Sequence, residues 1–266
     1  MSYYGTMSNV KKSKINRLLS SQPRGVVLLS SWLVSQGYIS DLQKRYRKSG
    51  WLESIGTGAM IRTGDEVGYD GALYALQQQL GMSINLGGRS AMSMLGKAHY
   101  LELSPKKVIL FGGHSEKLPV WFKNYDWDLK VKYYQSNFLP SELGLTEVEL
   151  KSFTIKISGA VRALMECLRL SPKNQELSEC YELMENLTTV RPDHVQALLE
   201  ACNSVKVKRL FMYMAEKAQH TWVPYLDLNK IDFGSGKRSI VKNGTYVSKY
   251  QITVPRQMEQ DDQPSI

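Results

Sequence analysis

Along the first sixty residues, apolar positions fall at helical spacing and glycines punctuate them. Ile15, Leu18 and Leu19 in INRLLSSQ (15–22) predict a short helix that ends at Pro23 and Gly25. SWLVSQ predicts a second, with Ser30 or Ser31 as N-cap, because a hydroxyl there accepts an unpaired backbone N–H. Gly37 sits where helices often end in a left-handed residue. A third helix follows, with Ser40 as N-cap and Asp41 suited to the positive end of the helix dipole. Leu42 and Tyr46 are four apart and share one face, and Gly50 closes the helix. WLESIGTGAMIR then alternates apolar and polar positions around Gly56 and Gly58, the pattern of a two-stranded hairpin anchored by Trp51 and Leu52. Two short helices joined by a Gly-containing turn, then a hairpin, predict a winged helix-turn-helix.

Thr63-Gly64-Asp65 marks a boundary. DGALYALQQQLG (70–81) has Leu73, Leu76 and Leu80 placed to face inward from a helix, and INLGGRSAMSMLG (84–96) reads as strand, Gly-Gly turn and helix. HYLEL and KKVILFGG predict strands, and LPVWF (118–122), Trp127, DLKVKYYQ (128–135) and FTIKI (153–157) continue a β-rich stretch. SGAVRALMECLRL, ELSECYELMENL, RPDHVQALLEACN and VKVKRLFMYMAEKA predict four helices in series, and the stretch to YQITVP predicts a hairpin turning at Asn243-Gly244. The expected fold class is α+β: an N-terminal winged helix-turn-helix domain followed by a larger mixed α/β domain with a C-terminal helical stretch. The expected division is a flexible basic arm over 1–12, the DNA-binding domain over 13–64, the α+β domain over 65–255 and a disordered acidic tail over 256–266.

Charge sharpens this picture. The chain has 266 residues and a formal charge of +9. Residues 1–62 hold ten basic side chains against two acidic ones, Asp41 and Glu53, and so carry nearly all of that excess. Such asymmetry suits a polyanion-binding module joined to a near-neutral body, since each Lys or Arg placed at a phosphate releases condensed counterions. With Leu42 and Tyr46 docked, Gln43, Lys44, Arg47 and Lys48 are expected to point outward, where a major groove would receive them, and Arg45 fills more of the same helix. Gln suits adenine and Arg or Lys suits guanine.

The remaining chemistry excludes more than it adds. Apolar runs such as GVVLL (25–29) are far short of the roughly 20 residues a bilayer needs, and the N-terminus has no stretch of signal-peptide type, so a cytoplasmic protein without membrane contact is expected. Cys167, Cys180 and Cys202 predict reduced core thiols, and four scattered histidines predict no metal site. GGRSAMSMLG and GSGKRS each lack the full phosphate-loop pattern and read as structural turns. The aromatics around Trp121 read as core packing. Asp126 and Asp128 would share a face if they lay on a strand, yet the partners a metal-binding pair needs are missing. No nucleophile–base pairing is evident, so neither catalysis nor a cofactor is expected.

The segments GWLESIGTGAMIRTGD, GALYALQQQLGMSINLGGRSAMSMLGKAHYLEL, VILFGG, LPVWF, SGAVRALMECL, RPDHVQALLEACNSVKVKRLFMYMAE, GSGKR and YQITVP occur in an order that resembles the AbiEi-type antitoxins of bacterial type IV toxin–antitoxin systems. The resemblance runs from the first helix to Pro255. It implies a winged-helix repressor that binds inverted repeats in its own promoter. It also implies a C-terminal domain that counters a nucleotidyltransferase-like toxin, with which it need not form a stable complex. By the same resemblance, Ser40, Gln43, Lys44, Arg47 and Lys48 contact DNA, with Thr57 and Arg62 near the wing, and Lys11, Lys12 and Lys14 reach a neighbouring minor groove. Arg89, Arg162, Lys208 and Arg209 are candidates for a partner surface. Two alternatives stand beside this expectation: a plain toxin-clamping protein, and a degenerate nucleotidyl- or phosphotransferase.

Overall fold

In the computed structural model, residues 13–97 and 106–260 are described. Lys11, Lys12 and the rest of the expected arm over 1–12, the HYLEL strand at 99–103 and residues 261–266 of the expected tail lie outside them. The chain separates into two compact units: residues 1–81, 118–126 and 149–155 form one, and 82–117, 127–148 and 156–266 form the other.

The first unit begins with α1 (Lys14–Ser21), capped by the Ser13 hydroxyl, which accepts the Asn16 N–H at 3.3 Å. β1 (Leu28–Leu29) runs straight into α2 (Ser30–Ser35), and α3 (Ser40–Lys48) follows across Gly37, whose φ is +82°. β2 (Leu52–Gly56) and β3 (Ala59–Arg62) make the expected hairpin. β1 pairs with β3, giving a sheet in the order β1-β3-β2. Thus GVVLL supplies a strand that its apolar run did not reveal, because two paired residues are too few for any periodicity. The serine caps expected for α2 and α3 are not used. Ser30 and Ser40 are the first helical residues, and Leu29 and Ile39 take the cap positions without a side-chain bond. Leu18, Val26, Leu28, Leu33, Tyr46, Leu52 and Met60 pack into the core that these elements share.

α4 (Tyr69–Gln78) belongs to the same unit. Gln79, just past its end, behaves as a strand neighbour of β1: its amide accepts the Leu29 N–H at 2.8 Å and donates to Val27 O at 2.7 Å. Leu73 and Leu76 are buried as expected. Leu80 is exposed instead, since the helix ends before reaching it.

In the second unit, β4 (Asn85–Leu86), α5 (Gly88–Met94) and β5 (Lys107–Gly112) follow the expected strand, turn and helix. The chain then returns to the first unit as α6 (Val120–Asn124). LPVWF is therefore a helix and not a strand: five residues fit either period, and at a helix start Pro119 forfeits no hydrogen bond. Gly56 at the end of β2 lies so close to α6 that a Cβ there would sit 2.9 Å from Trp121 Cβ.

β6 (Lys130–Gln135), β7 (Leu145–Glu149) and β8 (Thr154–Ser158) complete a five-stranded sheet in the order β6-β5-β4-β8-β7. β5 and β6 are parallel, whereas β4 runs antiparallel to β5 and parallel to β8. α7 (Ala160–Leu170), α8 (Leu177–Glu185), α9 (Pro192–Ala201) and α10 (Val205–Lys217) are the four expected helices, with α7 and α10 buried along most of their length. β9 (Arg238–Ser239), β10 (Thr245–Val247) and β11 (Ile252–Val254) form a small sheet. Its hairpin joins β10 to β11 and turns at Ser248–Gln251, not at Asn243-Gly244. Asn243 does adopt a left-handed φ of +56°, but in the segment leading into β10. The fold is α+β with an N-terminal winged helix-turn-helix.

Candidate nucleic-acid interface

α3 is held by one face. Leu42 and Tyr46 pack inward, as their spacing requires, and burial raises the Tyr46 phenol above its usual pKa. Gln43 turns inward too. Expected to point outward, it is 3% exposed. Its oxygen accepts the Ser30 hydroxyl at 2.7 Å, and its nitrogen donates to Tyr38 O at 2.7 Å and Ser30 O at 3.1 Å. The cause is local. The Tyr38 carbonyl in the turn into α3 and the Ser30 hydroxyl and carbonyl at the start of α2 lie within one side chain's reach, and Gln43 meets them all. It orients the helix and has no free edge for a base.

Ser40, Lys44, Arg45, Arg47 and Lys48 remain on the exposed side of α3. Asp41 forms an ion pair with Lys44 at 3.5 Å, while the side chains of Arg45, Arg47 and Lys48 bond to no described residue. Lys14, exposed at the start of α1, lies with its Nζ 3.4 Å from Gly37 O and so stands beside the helix-turn-helix turn. Thr57 is exposed at the tip of the wing, whose turn is fastened by the Ser30 N–H donating to Gly58 O at 2.8 Å.

Arg62 has a different task from the one expected. Its Nη2 donates to Leu19 O, and to Gln22 O at 2.6 Å, tying β3 to the end of α1. Burial lowers its pKa, and its Nε is enclosed without a partner among the described residues.

The cations expected to form a partner surface in the second unit are mostly interior. Arg162, Lys208 and Arg209 are each at most 5% exposed, and only Arg89 reaches solvent, paired with Glu179 at 3.2 Å. Arg209 Nε donates to Phe233 O at 2.9 Å, Nη1 to Gly236 O at 2.7 Å and Nη2 to Gly234 O at 2.9 Å. GSGKR is therefore a loop folded around a guanidinium. Arg162 Nε meets Glu166 at 3.0 Å. Glu166 is fully buried and accepts the Gly88 N–H and the Ser158 hydroxyl, each at 2.8 Å. Burial pushes its carboxyl pKa up, against the pull of Arg162 and these donors. Glu166 also accounts for the first glycine of GGRSAMSMLG, since a Cβ at Gly87 would lie 2.4 Å from Glu166 Oε2, while Gly88 is needed for its left-handed φ of +51°. The carboxylate that meets the start of α5 is the protein's own. The signal for it was the pair of glycines together with an acid four residues after Arg162.

Asp126 and Asp128 lie in the loop before β6 and not on a strand, Asp128 with φ +56°. Among the described residues, no group of three or more His, Cys, Asp and Glu side chains is placed to hold a metal. The three cysteines are buried and free of disulfides. No helix among the described residues is long and apolar enough to cross a membrane.

Residues 11–103 match a family model described as a transcriptional regulator, AbiEi antitoxin N-terminal domain. Residues 105–255 match one described as a transcriptional regulator, AbiEi antitoxin, type IV TA system. No curated protein matches the chain. Among solved structures, the crystal structure of the RV2827C protein from Mycobacterium tuberculosis is similar, with a TM-score of 0.56 and 13% sequence identity over 90% of this chain and 88% of that one. At that identity the likeness concerns the fold alone.

Proposed function

Because the chain belongs to the AbiEi antitoxin family of type IV toxin–antitoxin transcriptional regulators, we propose that it represses its own promoter by placing α3 in the major groove of inverted repeats. The observation that carries this reading is the exposed side of α3. Lys44, Arg45, Arg47 and Lys48 stand there while Gln43 and Tyr46 fix the helix from behind. A helix held by one face with four cations on the other is what groove docking requires. Lys14 and Thr57 add phosphate contacts from α1 and the wing tip. Arg62 and Gln43 act indirectly, by setting the angles of the wing and of α3. The second unit counters a nucleotidyltransferase-like toxin, and the exposed pair of Arg89 and Glu179 is where a partner finds charge.

Fluorescence anisotropy with duplex from the upstream region tests the repressor half. Binding should exceed that to scrambled duplex and fall steeply with salt. In cells expressing the toxin, alanine at all four α3 cations should abolish repression and leave protection intact. Equal binding to both duplexes would sink the proposal.

A further inference from the structure

The second unit holds a cavity of about 370 Å³ at the C-terminal ends of the parallel strands β5 and β6, beside the start of β4. It lies outside the carboxyl ends of two neighbouring parallel strands, with antiparallel β4 at its edge. Crevices outside the carboxyl ends of parallel strands are common ligand sites in open sheets.

Arg162 forms its polar wall. Nη1 is consumed by the carbonyls of Pro140 at 2.7 Å, Ser141 at 3.1 Å and Leu143 at 2.5 Å, and Nε by Glu166. Nη2 has no partner among the described residues, yet it is not sealed in: the residue is 95% buried and lines the cavity. Two N–H donors of a guanidinium that lines this space are therefore left with nothing described to receive them. Asn85, which also lines the cavity, spends its amide nitrogen on Leu86 O at 3.1 Å and Ser158 Oγ at 2.8 Å, so its oxygen is left as a spare acceptor. Phe111 and Phe138 supply apolar walls, and His114 stands at the rim. Among the described residues, no acidic side chain lines the cavity.

We propose that this cavity binds a small organic oxyanion, a phosphate monoester or a carboxylate carried on a flat ring, with the oxyanion on Arg162 Nη2 and a hydroxyl or amino donor on Asn85 Oδ1. Guanidinium prefers oxyanions to neutral acceptors because each hydrogen bond is charge-assisted. The ring lies against the phenylalanines. Glu166 sits behind Arg162 and offsets part of its charge, which weakens its hold on the anion.

The test is calorimetric titration of the full chain with AMP and with 4-hydroxybenzoate, against adenosine and phenol as their neutral parents. At least one of the two anions should bind with one-to-one stoichiometry, at least tenfold more tightly than its parent. AMP alone would mark the site for phosphate esters, and 4-hydroxybenzoate alone for carboxylates. Ser141→Glu puts a carboxylate on the exposed rim without altering the backbone carbonyl that Arg162 uses, and should weaken binding at least tenfold at an unchanged circular dichroism spectrum. Ala201→Phe, which narrows the mouth from α9, should do the same. The variant with alanine at Lys44, Arg45, Arg47 and Lys48 should bind the anion as the wild type does, which separates this site from the DNA face. The proposal is overturned if neither anion binds, as when the cavity holds water only, or if the neutral parents bind equally. It is overturned as well if binding survives both cavity variants or disappears with the α3 variant.

Discussion

α3 and the pair α7 and α10 use the same kind of side chain in opposite ways. On α3, the side chains of Arg45, Arg47 and Lys48 stand in solvent and bond to no described residue. On α7 and α10, Arg162 and Arg209 are interior, and each takes up three or more backbone carbonyls. The difference teaches how to read a cation. A guanidinium most of whose donors are spent inside the chain holds the fold together, whereas one left wholly idle at the surface of a well-braced helix is free for the DNA acceptor proposed above.

The sharpest way to break that contrast is to remove a counter-charge. Glu166→Ala leaves Arg162 buried without its carboxylate and should cost about 3–5 kcal/mol of stability in urea unfolding. A loss below about 1 kcal/mol would show that Arg162 is not structural in the sense argued. Next in size is Gln43→Leu, which removes three hydrogen bonds while keeping the volume of the side chain. It should destabilise the first unit by about 2 kcal/mol and weaken promoter binding through misorientation of α3, although the Gln43 side chain is buried behind the helix.

Much of the first unit was legible in the sequence. Periodicity placed α1, α2, α3 and the wing, because each has its apolar face and its glycine stop. It also placed the four helices of the second unit. What it missed has physical causes. β1 pairs through two residues, and α6 is too short to distinguish helix from strand. Asn243 adopts the turn conformation expected of it, but another turn, at Ser248–Gln251, joins the strands. Side-chain destinations were the least legible. Gln43 sits among cations on α3 and nothing in its spacing marks it as inward, since the carbonyls that recruit it come from α2 and the turn. Arg162 and Arg209 looked like surface charge because nothing local announces the carbonyls that surround them.

Two smaller effects sharpen the comparison. Arg47→Ala should weaken promoter binding by about 1–3 kcal/mol if it reads a guanine, and should move the unfolding free energy by less than about 0.5 kcal/mol. Equal losses in both would place Arg47 with the structural arginines. Lys206 is an intermediate case, donating to Ser171 O at 2.6 Å and Arg169 O at 2.9 Å. Burial lowers its pKa from 10.5 to about 8. Below pH 8 the folded state holds that ammonium at a cost, which is relieved as pH rises from 8 towards 10.5. The contribution of Lys206 to stability should therefore grow through that window, by about 1 kcal/mol once its partial exposure is allowed for, and Lys206→Met should remove the rise.

The most direct measurement is the slope of log affinity against log salt for promoter duplex, wild type against alanine at Lys44, Arg45, Arg47 and Lys48. Each lost phosphate contact should flatten the slope by about 0.9, so with Arg47 on a base and the other three cations on phosphates the slope should be shallower by about 3, with the melting temperature unchanged. An unchanged slope, or a variant that loses binding only because it no longer folds, would contradict it.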